Sequence, residues 1–279
     1  MFRGTWAVEA GVLTPDQLRS AAWRRLRRDV YADATLPVDH VLYARGVSLV
    51  APTHAAFGGL TAVALWGGSE FVTRDDPVEL IVPPGVRWQP GPGVVVRTGA
   101  LEGDVVSDPP RLRRTSRTRT AVDLIRRGDV DDGVVLLDRL VTAGIVRLED
   151  VRDAVADLPR SRGSRLAREI AGLADGFAES PPETRLRLLM LRAGLPMPVA
   201  QFRVFDDEGL IGRVDFAFPE LRLAIEYEGK WHGEPQHVGR DRRRLNRLLA
   251  AGWRVVFVTA ADMHDHEALI RDIARALAA

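Results

Sequence analysis

The segment GRVDFAFPELRLAIEYEG, residues 212–229, constrains this chain more than any other stretch. Val214, Phe216 and Phe218 alternate with Arg213, Asp215 and Ala217. After Pro219-Glu220 the alternation resumes, with Leu221, Leu223, Ile225 and Tyr227 on one face and Arg222, Ala224, Glu226 and Glu228 on the other. A period of two belongs to strands, whose successive side chains point to opposite faces of a sheet. The pattern predicts a hairpin turning at Pro219-Glu220, with Phe218 opposite Leu221. In that register Asp215 faces Ala224, and Glu226 lies on the diagonal, where neighbours on one face sit about 7–8 Å apart. Three carboxylates then gather on one side of a sheet whose other side is apolar. Like charges so placed repel and need a counter-charge. A hard divalent cation such as Mg²⁺, with Mn²⁺ as a substitute, would supply it. Arg213, Arg222 or the arginines that follow would supply it equally well.

The flanks of the hairpin set an order of elements. Ser180-Pro181-Pro182-Glu183 is an S-x-x-E capping box with proline at the first helical position. It opens a helix through Leu186, Leu189, Met190 and Leu191 that stops at Gly194. A strand is expected at 199–205 and a turn at 206–209. A basic amphipathic helix over 240–251 buries Leu245, Leu248 and Leu249, and a buried-type strand follows at 253–259. The crossover to that strand should be parallel and right-handed. A helix over 267–277 closes the chain.

The remainder is largely helical. Residues 6–10 form a short helix stopped by Gly11. Thr14 and Pro15 then provide an N-cap and first-turn proline for a second helix running on towards Leu26. With a small strand or wing at 28–31, this is a helix-turn-helix-like pattern. Two helices are expected within 39–70, strands at 78–82 and 94–97, and helices from 118 to about 173. The division expected is a helix-turn-helix or winged-helix-like region (1–70), a mostly helical α+β region (71–175) and an α/β domain (176–279). The small, polar run ADGFAES (174–180) marks the last boundary.

Net charge is +1, yet Lys230 is the one lysine among 39 basic residues, so every basic patch is built of arginine. Guanidinium forks onto phosphate oxygens better than ammonium does. The patches are Arg24, Arg25, Arg27 and Arg28; Arg111, Arg113, Arg114, Arg117 and Arg119; and Arg240, Arg242, Arg243, Arg244 and Arg247. The absence of cysteine excludes disulfides, thiolate zinc sites and cysteine nucleophiles. No apolar run reaches the length of a membrane span, and no secretory pattern opens the chain. A cytoplasmic protein with no membrane partner is expected.

Helix, three strands, helix and strand, with Asp215 and then Glu226-x-Glu228, resembles the PD-(D/E)XK restriction-endonuclease-like superfamily. The string IEYEG-x-WH, followed by D-x-x-R and LLAAGWRVV, is similar to the branch near very-short-patch-repair endonucleases. The likeness covers roughly residues 178–262. More weakly, the N-terminal half resembles the winged-helix modules of abortive-infection antitoxins. The resemblance implies an α-β-β-β-α-β-α domain with a mixed central sheet and Mg²⁺-dependent hydrolysis of phosphodiesters, in DNA first, with an RNA-directed nuclease as a reading that the sequence does not separate from it. It gives Asp215 and Glu226 the metal, with the Tyr227 carbonyl and Glu183 as further ligands. Glu228 stands where the family has lysine; it would act as general base or hold a second metal, and Lys230 would supply the ammonium. His232 would touch phosphate or move a proton. Arg240, Arg243 and Arg244, and in the N-terminal region Arg24, Arg25 and Arg27, would contact nucleic acid. The missing lysine also admits another reading, a non-catalytic DNA-binding regulator or antitoxin-like protein.

Overall fold

The computed structural model describes residues 1–108, 112–229 and 235–279, with side chains of the last stretch from 239 onward. The chain is α/β with mixed sheets. It divides into two compact units, residues 1–127 with 143–168, and residues 128–142 with 169–279. The expected 1–70 and 71–175 regions therefore do not stand apart, and a helix from the second belongs with the C-terminal unit.

The first unit begins with β1 (Phe2–Arg3), α1 (Gly4–Glu9), α2 (Pro15–Leu18), β2 (Trp23–Arg27) and β3 (Val30–Asp33), the strands ordered β1-β3-β2. Thr14 caps α2 in a reciprocal box with Gln17, but the helix is only four residues long. The expected run towards Leu26 is instead an antiparallel ribbon in which Trp23 pairs with Asp33 and Arg25 with Tyr31. Asp29 makes the turn possible: it adopts φ 61° and its carboxylate accepts from the Thr5 amide, the Thr5 hydroxyl and Arg3. Arg24, Arg25 and Arg27 thus lie on a strand and not on a recognition helix. Next come α3 (His40–Ser48), β4 (Ala56–Phe57), α4 (Gly59–Leu65), β5 (Val78–Val82), β6 (Val94–Thr98), β7 (Val105–Asp108), β8 (Leu112–Thr115) and α5 (Arg117–Ile125). The five strands order as β6-β5-β4-β8-β7 over a core of Ala44, Val47, Phe57, Val78 and Leu80.

After α5 the chain enters the second unit as α6 (Val130–Thr142), followed by α7 (Leu148–Ala156) in the first unit and α8 (Ser164–Leu173). The run 174–180 is no loose linker: Ala174 and Ala178 are buried, and Gly176 takes φ 70° where a Cβ would meet Val141 at 2.4 Å. Its small residues reflect close packing, not a boundary. Beyond it lie α9 (Pro181–Arg192), β9 (Val199–Asp206), β10 (Gly209–Phe218), β11 (Leu223–Glu228), α10 (Pro235–Ala250), β12 (Arg254–Thr259) and α11 (His266–Ala278). These are the expected elements in the expected order. The sheet runs β12-β11-β10-β9, with β11 and β12 parallel and the other pairs antiparallel.

Two apolar clusters clamp this sheet. Leu186 and Met190 of α9 with Leu269 and Ile273 of α11 cover Phe216, Phe218, Leu223 and Ile225 on one face. Leu248 of α10 covers Val214, Ala217 and Ala224 on the other. Full burial of each large aliphatic or aromatic side chain contributes about 1.5–3 kcal/mol. This clamp holds the hairpin against the repulsion of its own carboxylates. Among the described residues, no helix is long and apolar enough to cross a membrane.

Candidate functional site: carboxylates at a face switch

The hairpin register differs from the expected one by two residues. Phe218 pairs with Leu223 because residues 219–221 form a 3-10 turn and Arg222 takes the left-handed conformation at φ 44°. A slip of two leaves the faces unchanged. The paired register ends at Phe216–Ile225, with Asp215 and Glu226 the next residue on each strand.

The alternation also breaks at Asp215. Val214 packs on the α10 side with Phe202, its β9 partner, whereas Phe216 packs on the α9 side with Ala200. Between those pairs Gln201 adopts φ 52°, a conformation a non-glycine residue holds only at a cost. Its side-chain amide donates to Glu183 at 3.0 Å. The faces therefore exchange beside Asp215 of β10, on which the charges of Glu183 from α9 and Glu226 from β11 act.

Glu183 is buried, and its carboxylate accepts from the Glu179 amide at 2.9 Å, the Ser180 hydroxyl at 2.7 Å and Gln201. The expected capping box does not form, since Glu183 takes the amide of Glu179 and not that of the N-cap Ser180. Ser180 gives its hydroxyl proton to Glu183 and does not cap the helix with its oxygen. Helix α9 is itself anchored through Arg187 to Asp138 of α6. Asp138 is fully buried, accepts from Arg187 and the Thr184 hydroxyl at 3.0 Å each, and from the Asp175 and Gly176 amides at 2.9 and 2.8 Å.

Asp215 is half-buried, and its Oδ2 accepts from the Tyr227 amide at 2.8 Å. Burial pushes its pKa up to about 6, and the charges of Glu183 and Glu226 push the same way against the Tyr227 amide and Arg244. No arginine or lysine side chain bonds Asp215 among the described residues. Glu226 has a partner. Arg244 of α10 grips both of its oxygens at 2.8 and 2.9 Å and gives a further bond to the Arg213 carbonyl. Gly212 lets the arginine cross β10 so closely, since a Cβ there would lie 2.6 Å from its Nε.

Glu226 also borders a cleft of about 770 Å³ whose wall includes Glu228, Asp241, Arg242, Arg244 and Thr259. Glu228 is exposed at the end of β11, on the same face as Glu226. Tyr227 lies between them on the opposite face, packed beside the α9 cluster. Arg240, Arg242 and Arg243 are exposed on α10, whereas Arg247 is bound to Asp206 at 2.8 and 2.5 Å. Asp241 makes no bond to Arg244 among the described residues. Lys230 and His232 fall outside the described residues, as does the side chain of His237.

The donor chemistry fits a hard divalent cation: every group is an oxygen, and among the described residues no arginine or lysine side chain bonds Asp215. As the side chains stand, no group of three or more His, Cys, Asp or Glu residues converges closely enough to hold a metal among the described residues. Glu226 would have to exchange Arg244 for the ion.

The N-terminal arginines each donate to a backbone carbonyl of the first unit. Arg24 donates to the Leu36 carbonyl at 3.1 Å, Arg27 to the Pro90 carbonyl, and Arg25 to the Arg27 carbonyl at 3.4 Å. In the second patch Arg114, Arg117 and Arg119 are absorbed by the fold. Arg114 is buried against Asp108 and stacks on Trp66, which Arg117 also covers, and Arg119 is paired with Asp104 and Asp123.

Two proteins of Mycobacterium tuberculosis, Uncharacterized protein MT2308 (strain CDC 1551 / Oshkosh) and Uncharacterized protein Rv2248 (strain H37Rv), are each 35% identical to this chain over 212 residues. The match spans 73% of this chain and 73% of each relative. The chain belongs to their family. No family model and no solved structure matches it.

Proposed function

We propose that this chain is a divalent-metal-dependent phosphodiesterase acting on nucleic acid, DNA in the first place, with a restriction-endonuclease-like C-terminal unit. One observation carries the reading. Asp215 and Glu226 follow directly on the last paired residues of their strands, the charges of Glu183 and Glu226 both act on Asp215, and no arginine or lysine side chain bonds Asp215 among the described residues. A structural ion pair has no need of such an arrangement, whereas a cation site does. Asp215 and Glu226 would hold Mg²⁺ or Mn²⁺, with Glu183 and the Tyr227 carbonyl nearby as further oxygens. The ion supplies Lewis acidity at the scissile phosphate. Glu228, solvent-exposed at the cleft, accepts the proton of the attacking water on its carboxylate. Arg242 and Arg244, also at the cleft, neutralise the charge that builds on the phosphate oxygens. Exposed Arg240 and Arg243 extend the cationic face along α10.

The Arg244 grip on Glu226 favours a second reading, a DNA-binding regulator whose nuclease-type unit holds no metal. Cleavage separates the two. Supercoiled plasmid, single-stranded DNA and RNA would be incubated with Mg²⁺, Mn²⁺ or EDTA, with Asp215→Asn and Glu226→Gln beside the unaltered protein. Metal-dependent cutting lost in both variants supports the phosphodiesterase, and the preferred substrate names its class. Absence of cutting, with DNA binding retained in all three proteins, favours the regulator.

A further inference from the structure

We infer a phosphate-binding site in the first unit, separate from the carboxylates and built from Arg126, Arg127, Arg162 and Arg97. These residues line a concave pocket of about 500 Å³ together with Arg119 and Asp123. Five guanidinium groups therefore meet there. Arg119 is neutralised by Asp123 at 2.8 Å and Asp104 at 3.0 Å, and Arg97 reaches Glu79 at 3.4 Å. Three carboxylates against five guanidiniums leave a local excess of two positive charges.

The excess belongs to identifiable groups. Arg126 is spent on positioning, since it donates to the Ser161 hydroxyl and to the Arg162 carbonyl, both at 2.9 Å. Those bonds draw the 161–163 turn against the end of α5. Gly163, at φ 79°, permits the approach: a Cβ there would lie 2.2 Å from the Arg126 carbonyl. The turn thereby brings Arg162 to the pocket that Arg127 lines. Neither the Arg127 nor the Arg162 guanidinium makes a hydrogen bond or ion pair among the described residues. Partial burial and the charges of Arg97 and Arg126 lower the pKa of Arg127 against the opposing charges of Asp123 and Glu79.

A solvated arginine at a helix C-terminus is commonplace, and Arg126 alone would be one. Two unpartnered guanidiniums facing one pocket are different, because each prefers a bidentate acceptor and phosphate offers one. The pocket has room for two adjacent phosphates. That suits a diphosphate group or consecutive phosphodiesters of a nucleic-acid strand. The site does not depend on the proposed hydrolysis, and holds or fails without it.

The test uses the full chain. Calorimetric titration with inorganic pyrophosphate, and fluorescence anisotropy with labelled single-stranded and duplex oligonucleotides, are run on three proteins. These are the unaltered chain, Arg127→Gln/Arg162→Gln, and the charge-matched control Arg147→Gln/Arg275→Gln, which removes exposed arginines elsewhere. All four positions are exposed, and equal melting temperatures establish that the variants fold. The site predicts at least tenfold weaker binding of a phosphate probe in the Arg127/Arg162 variant and under threefold in the control. If the probe is duplex DNA, the salt dependence of log K should also flatten, by about 0.9 for each phosphate that is no longer neutralised. Pyrophosphate bound without oligonucleotide identifies a free diphosphate as the ligand, and oligonucleotide bound without pyrophosphate identifies the strand. Equal weakening in variant and control, or no binding of any probe by the unaltered chain, overturns the proposal.

Discussion

Asp138 and Asp215 are two carboxylates withdrawn from water within the same unit, and their surroundings are opposite. Asp138 is fully buried and fully answered, by Arg187, the Thr184 hydroxyl and two backbone amides. Asp215 has one backbone amide and faces two further carboxylates. A buried charge that is paired and hydrogen-bonded serves the scaffold, here by tying α9 to α6. One left partly answered burdens the fold and keeps its place only if something outside the chain completes it. Burial alone does not distinguish a structural carboxylate from a candidate ligand. The partners do.

The largest effect expected from this contrast is on stability. Asp138→Ala should cost about 3–5 kcal/mol in urea unfolding, because buried Arg187 would keep only Asp175 of its two carboxylates, and the Thr184 hydroxyl and two backbone amides would lose their acceptor. A loss below about 1 kcal/mol would mean that Asp138 is not the anchor described. Asp215→Asn should act in the opposite direction. Measured in EDTA at pH 7.5, it should stabilise the chain by about 1–2 kcal/mol, the raised pKa discounted for partial solvent screening. Equal or lower stability of this variant would show that Asp215 is already compensated.

The pH dependence carries the same sign. The folded pKa of Asp215 lies above its unfolded value, so the contribution of this group is fully present below the unfolded pKa. It is lost as pH rises through about 6. In EDTA the stability difference between Asp215→Asn and the unaltered chain should therefore open between about pH 4 and pH 7 and stay constant above. A difference independent of pH would remove electrostatics as its cause. The smallest expected effect is that of Arg244→Gln. It should change stability by no more than about 1 kcal/mol, since the pair lies near the surface. It should also tighten Mn²⁺ binding severalfold by freeing Glu226. Weaker binding in this variant would make Arg244 a partner of the site and not a competitor for it.

Much of the C-terminal unit was legible in the sequence because period-two alternation survives in any register that keeps faces intact. The strands of the hairpin, α9 and the amphipathic α10 follow from spacing alone. The observed register, which ends at Phe216–Ile225, does not, since it depends on a 3-10 turn and a left-handed Arg222 in place of a two-residue turn. Gln201 was missed because a glutamine at positive φ leaves no trace in the sequence, and with it went the exchange of faces at Asp215. The arginine runs look alike on paper and part company in the fold. Arg114, Arg117 and Arg119 are consumed by Trp66 and by distant acids and carbonyls, whereas Arg240, Arg242 and Arg243 remain exposed. Long-range partners decide that difference, and no local pattern contains them. The helix expected over residues 15–26 failed for a related reason. Asp29 at positive φ, held by Thr5 and Arg3, turns Trp23–Arg27 into a ribbon.

The most direct test of the account is Mn²⁺ binding, followed by electron paramagnetic resonance at pH 7.5, for the unaltered chain and Asp215→Asn. The account predicts a saturable site in the unaltered chain that is lost in a variant at least as stable in EDTA. No binding by either protein, or equal binding by both, would contradict it and leave the three carboxylates without the cation their arrangement calls for.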